Sequence, residues 1–178
     1  MGGVSGQRDL FTKGSRMEIK YEDYFSYHPG SPSFLICKKN IGRKRSGEFP
    51  AVTMHPSGYL VITVLNKKFQ LHRFIWGVTR GEIPDGFCID HIDGNKTNNL
   101  IENLRLATLS QNSWNRRKQS NGDPYFPKGI CAFKSGGYVA HIQRNGRRWH
   151  KYSYDLSELM AWLNAKRADL HGSYANYG

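Results

Sequence analysis

The sequence predicts an α+β protein made of small sheets and short helices, in two parts joined by a short linker. Three observations lead there. A β-branched run, Tyr59–Leu65, is followed by a turn at Asn66–Lys68, a return strand at Phe69–Leu71 and then a helical period. Two strand-like pieces, Phe87–Asp90 and Leu104–Ala107, flank a polar loop and lead into a capped helix. Beyond residues 121–124, three alternating segments separated by glycine turns precede a last helix.

Each element has its own signal. Phe34–Lys38 reads as a strand, and the basic run Lys38–Arg45 after it as a loop. Leu71, Phe74, Ile75 and Val78 fall at i, i+3, i+4 and i+7, one face of a helix that should stop near Gly77 or Gly81, before Pro84. Thr108-Leu109-Ser110-Gln111 is a capping-box pattern and starts a helix running to about Lys118. Gln119–Pro124 has linker composition. Gly129–Lys134, Tyr138–Arg144 and Arg148–Tyr154 alternate as strands, with turns at Ser135–Gly137 and Asn145-Gly146. Asp155-Leu156-Ser157-Glu158 is a second capping box, opening a helix with Leu156, Leu159, Met160, Leu163 and Leu170 on one face. The expected division is 17–120, a linker at 121–124, and 125–178. Residues 1–16, which end in Gly-Ser-Arg before Met17, read as an expression leader or a disordered arm.

Composition narrows the partners. The 178 residues carry a formal charge of +12, with a pI of about 9.8. A chain this basic meets a polyanion, and nucleic acid is the first candidate. A membrane surface would call for a basic amphipathic helix or a lipidation signal, and neither is seen. No apolar run reaches membrane-spanning length. Cys37, Cys88 and Cys131 are odd in number and far apart, which suits neither a disulfide framework nor a zinc knuckle. The expected setting is reducing and cytoplasmic.

The chemistry gathers around the stretch IDHIDGNKTNN, residues 89–99. As a calcium loop it fails, because with Gly94 at the sixth position His91 takes the third and Leu100 the twelfth. Another arrangement fits better. Asp90 and His91 end a strand, Asn103 ends the loop, and Asn112 lies one turn into the next helix. A hairpin and a helix can bring Asp90 and Asn112 together as a carboxylate and an amide oxygen. Such a hard, incomplete oxygen set leaves room for water and phosphate and suits Mg²⁺. An imidazole ordinarily titrates near ~6.5, so His91 is suited to take a proton from water at neutral pH. Asp93, Asn95, Asn98 and Asn99 read as loop scaffolding, because Asx side chains bond their own backbone and tolerate left-handed geometry.

These residues resemble the HNH endonucleases of phage and homing type. The resemblance covers His72-Arg73-Phe74-Ile75-Trp76, IDHIDGNKTNN, Glu102-Asn103-Leu104-Arg105 and Ser110-Gln111-Asn112, with the GYLVITV hairpin upstream. It implies a ββα-metal unit in which His91 is the general base, and Asn103 orients that base or pins the loop. Asp90 and Asn112 would ligate the metal, with asparagine standing where a final histidine is common. An amide oxygen favours Mg²⁺, or Mn²⁺, over zinc. His72 is either a substrate contact or a buried histidine at a helix start.

The second part is basic as well. Trp114–Lys151 holds nine Lys and Arg against one acid, Asp123. A sheet packed on one helix leaves a face for DNA. Lys128-Gly129-Ile130, SGGYVAHIQRNGRRWH and LHGSYAN resemble an apetala-type (ethylene-response-factor) DNA-binding domain, a type that often follows HNH nucleases in phage chains. The resemblance implies contacts from Lys128, Lys134, Tyr138, His141, Gln143, Arg147 and Trp149. Tyr138 departs from the family's usual tryptophan, so base preference does not carry over. Arg116, Arg117 and Lys118 are expected to touch phosphate. The expectation is thus a metal-dependent endonuclease acting on double-stranded DNA, most simply as a monomer. The rival is a DNA-binding regulator that has lost the reaction.

Overall fold

Short strands paired into small two- and three-stranded sheets account for much of the architecture. The computed structural model describes residues 20–115, 125–133 and 135–175. Residues 1–16, the expected linker at 121–124, and the candidates Arg116, Arg117, Lys118 and Lys134 lie outside the described residues. Two compact units emerge. One runs through Asp85 and also takes in Lys96–Leu104; the other holds Gly86–Asn95 and the chain from Arg105 onward.

In the first unit, β1 (Phe25–Tyr27) pairs antiparallel with β2 (Leu35–Cys37). A second sheet has the order β3 (Val52–Met54), β4 (Leu60–Val64), β5 (Lys67–Gln70), all antiparallel. The β4–β5 turn sits at Leu65-Asn66, with φ of 47° and 64°, rather than at Asn66–Lys68. Two successive left-handed residues match the twist of paired strands. Leucine is an unusual choice there, which hid the turn and put Lys67 and Lys68 into β5. Strands β1 and β3 were not foreseen; three residues are too few to display a period.

Helix α1 (Leu71–Arg80) follows β5 directly and buries Leu71, Phe74 and Ile75 as the spacing predicts. Gly81, at φ 86°, ends it in a conformation that favours glycine. Tyr21, Phe25, Phe69 and Phe74 form an aromatic cluster with ring centroids 5.2–5.5 Å apart. These packed rings anchor α1 against β1 and β5.

In the second unit, β6 (Phe87–His91) pairs with β7 (Leu104–Thr108), whose first residue belongs to the first unit. Helix α2 (Leu109–Asn115) starts at once. The capping box is formed in both directions: Gln111 N donates to Thr108 Oγ1 at 3.3 Å, and Thr108 N to Gln111 Oε1 at 2.8 Å. A three-stranded antiparallel sheet comprises β8 (Ile130–Ala132), β9 (Tyr138–Arg144) and β10 (Arg147–Ser153), with β9 central. Asn145-Gly146, at φ 50° and 78°, makes the expected hairpin turn.

Helix α3 (Leu156–His171) packs on β9 and β10. Its core partners are Ile130, Ala140 and Ile142, against Leu159 and Leu163. Two details differ from expectation. Met160 is 40% exposed, while Arg167 is buried in line with Leu159 and Leu163, because steps of four keep one side of a helix. The capping box is half formed. Asp155 accepts from Ser157 N at 2.8 Å, but Glu158 turns to Ser153 Oγ and to Lys151 Nζ, 2.7 Å away. Leu159→Ala should cost about 3 kcal/mol, through lost burial and the cavity left behind, read as a lower midpoint in urea unfolding.

Candidate active site

The last residues of β6 are unusual for a strand end. Ile89, Asp90 and His91 are buried in succession, the latter two each 5% exposed. A buried carboxylate has to be matched by donors or a counter-charge. Asp90 has both. Asn115 Nδ2 donates to its two oxygens at 3.1 and 3.0 Å. Arg105 Nε donates to Oδ2 at 2.9 Å, and Nη2 stands 2.8 Å from the same oxygen. The Nε contact is the directed hydrogen bond. The Nη2 contact is an ion pair by distance, without hydrogen-bond geometry.

Asn115 does more than serve Asp90. The same Nδ2 donates to the backbone oxygen of His91 at 2.7 Å, an oxygen that also accepts from Gly94 N at 2.9 Å. The end of α2 therefore fixes the His91 backbone as well as the Asp90 carboxylate. Asn112 is half-buried, one turn before Asn115 on the same side of the helix.

Neither Asn115 nor Arg105 was among the expected site residues. Asn115 could have been found from its i+3 spacing to Asn112. Arg105 has no such local signal and emerges only when β7 pairs with β6.

The other expected residues are placed as follows. Asn103 ends a 3₁₀ turn, Ile101–Asn103, and its Nδ2 crosses the loop to Asn98 O at 2.8 Å. Asn99 is fully buried and donates from Nδ2 to Thr97 O at 3.0 Å. Asp93 Oδ1 accepts from Asn95 N at 2.7 Å, an Asx turn of the expected kind. His72 is buried in the first turn of α1, its ring 5.0 Å from that of Tyr59.

The three-stranded sheet sorts its candidates by face, because alternate residues point to opposite sides. Tyr138 and Trp149 pack against the core shared with α3. Arg147 belongs to the same row, with its guanidinium 5.2 Å from the Trp149 ring centre. These three therefore do not lie with the rest on one reading surface. The open face holds His141 and Gln143, opposite His150 and Arg148, all four exposed. Lys128 directs its Nζ to Trp114 O at 3.0 Å, joining the sheet to α2. Beside it, the His171 ring stacks on Trp114 at 4.6 Å, and burial followed by nearby cations holds its pKa below the usual histidine value.

The residues fit a divalent metal in kind. A buried carboxylate that already faces a cation, with the Asn112 carboxamide on the adjoining helix, offers oxygen donors of the hard type that Mg²⁺ or Mn²⁺ accepts. Among the described residues there is no cluster of three or more His, Cys, Asp or Glu.

Comparison with known proteins bears on this same part of the chain. The model of a family described as HNH endonuclease matches residues 69–114, from within β5 to the residue before the last of α2. Protein 3.8 of Escherichia phage T7 is 36% identical over 107 residues, 60% of this chain and 88% of its own length. Uncharacterized HNH endonuclease L560 of Acanthamoeba polyphaga mimivirus is 39% identical over 121 residues, 67% of this chain and 62% of its own. Uncharacterized HNH endonuclease L245 of the same virus is 34% identical over 86 residues, 45% of this chain and 26% of its own. No solved structure matches. The chain belongs to the HNH endonuclease family and is a nuclease, a hydrolase of phosphodiester bonds. The family implies DNA as substrate and generally uses divalent metal ions.

Asn115→Ala removes the donor shared by Asp90 and His91 and leaves a buried carboxylate short of partners. The variant should lose about 2 kcal/mol of stability and at least tenfold in cleavage. Thermal unfolding and a nicking assay would measure the two; a variant as stable and active as wild type would show that the contact is dispensable.

Proposed function

We propose that this protein is a Mg²⁺- or Mn²⁺-dependent endonuclease of double-stranded DNA, working through a ββα-metal centre made by β6, β7 and α2. The observation that carries this reading is the buried Asp90–His91 strand end, within the stretch that matches the HNH family, closed by Asn115 at the end of the helix that follows. His91 acts as general base. It takes a proton from water as the water oxygen attacks phosphorus, and the bond to the 3′ oxygen breaks. Asp90 is the proposed metal-holding carboxylate, with Asn112 supplying an amide oxygen. Bound there, the metal would neutralise charge on the phosphate and the leaving oxygen. Asn103 is proposed to hold the loop, as its bond to Asn98 suggests.

The C-terminal sheet is proposed to grip the duplex as an apetala-type module. Its open face supplies polar and basic side chains, His141, Gln143, Arg148 and His150, suited to phosphate and base-edge contact. Tyr138 and Trp149, turned toward α3, build the platform instead. Arg116, Arg117, Lys118 and Lys134 remain proposed phosphate contacts. The proposed setting is cytoplasmic, in a bacterial or phage-infected cell.

Plasmid cleavage in Mg²⁺ tests the mechanism. Wild type is expected to nick or cut, and His91→Ala to bind without cutting, slower by at least a hundredfold. Equal cleavage by both would sink the base assignment. Binding without cleavage by either, across varied DNA, would favour a regulator.

The sheet is tested by salt-dependent binding. Arg148→Ala with Gln143→Ala should weaken DNA affinity and lower the salt slope by about 1. Trp149→Ala should lower stability more than affinity. The reverse pattern would put the other face of the sheet on DNA.

A further inference from the structure

Arg105 is held from two sides. Toward the site, Nε and Nη2 engage Asp90 Oδ2. Away from it, Nη1 donates to Ser173 O at 2.5 Å, and the guanidinium carbon stands 4.0 Å from the centre of the Tyr174 ring. Tyr174 is itself tied down, its hydroxyl donating to Leu106 O at 2.9 Å on the same strand as Arg105. Ser173 and Tyr174 belong to the 3₁₀ turn Gly172–Tyr174 that follows α3, and Gly172 N is bonded back to Ala168 O. A continuous path thus runs from the helix under the three-stranded sheet, through one turn, to the carboxylate proposed to hold metal.

Two cations cannot share that carboxylate cheaply. Asp90 is 5% exposed and Arg105 15%, so charge there is poorly screened. The oxygen that Arg105 occupies is one that a divalent cation would also claim.

We propose that Arg105 is an internal competitor for the metal at Asp90, and that the C-terminal turn Gly172–Tyr174 sets how strongly it competes. Arg105 is a positioning residue in this scheme. It satisfies the buried carboxylate in the absence of metal, and the grip of Ser173 and Tyr174 favours that state. Whatever shifts the turn, such as DNA drawing on the sheet that α3 supports, loosens the guanidinium and raises cation affinity. A released guanidinium is also well matched to a phosphate. The inference rests on the reading of Asp90 as the metal-holding carboxylate.

The test is Mn²⁺ binding to the full chain without DNA, measured by electron paramagnetic resonance and calorimetry, with cleavage not required. Asp90→Asn should abolish site binding. Arg105→Ala should bind Mn²⁺ more tightly by about tenfold, the order expected when one charge-assisted hydrogen bond no longer opposes binding. Tyr174→Ala should shift affinity the same way by a smaller factor, and Tyr174→Phe, which keeps the ring, by less again. Tyr174→Ala should add nothing in the Arg105→Ala background, since its effect passes through the guanidinium. If Arg105→Ala unfolds, which circular dichroism would reveal, Tyr174→Ala alone decides. Unchanged Mn²⁺ binding by Asp90→Asn would remove the metal reading, and this inference with it. Loss on Asp90→Asn with no gain in Arg105→Ala or Tyr174→Ala would overturn the competition alone.

Discussion

The constraint on which the second unit depends is the burial of one carboxylate. Asp90 sits at the end of a strand with 5% exposure, and an ionised group there needs compensation from several directions. Compensation comes from a strand neighbour, Arg105, and from the end of a helix, Asn115. Those two contacts explain much of the local build. Strand β7 must pair with β6 so that Arg105 faces Asp90, and α2 must start right after its Thr108 cap so that Asn115 reaches both Asp90 and the His91 carbonyl. The capping box, the hairpin and the buried pair form one interdependent set.

Much of this fold was legible because its signals are local. The α1 face, the Thr108 capping box and the Asn145-Gly146 turn all follow from residues within one or two turns of each other. The misplaced features have a shared cause. Leu65 adopts a left-handed conformation that its side chain does not advertise, and β1 and β3 are too short to show alternation. Met160 was assigned to the buried face of α3 because methionine is apolar. Arg167 was passed over because arginine is charged, yet it lies in line with Leu159 and Leu163 and reaches Lys128 O through Nη2. Pattern reading sees hydrophobicity, while the helix sorts by angle.

The site was legible in part for a related reason. Asp90 and His91 are adjacent in sequence, and the asparagines after them stand at intervals that a hairpin and a helix make meaningful. Arg105 became visible only through strand pairing that brings together residues fifteen apart in the chain. Facing in the sheet was likewise hidden until register was known. Tyr138, Arg147 and Trp149 are separated from His141 and Gln143 by odd steps along the strands and their pairing, so one list of attractive residues resolves into two surfaces.

The junctions between strand and helix carry a consequence for how this chain can vary. Gln70 ends β5 where Leu71 begins α1, and Thr108 ends β7 where Leu109 begins α2. No residue lies between them to absorb an insertion. One residue added at the second junction would rotate everything beyond it by ~100° about the helix axis. Asn115 would then point away from the carboxylate it serves, although every residue type in the motif would still be present. Spacing at these seams is therefore as strict a requirement as residue identity, and changes in length are better absorbed in long connections such as residues 38–51, between β2 and β3.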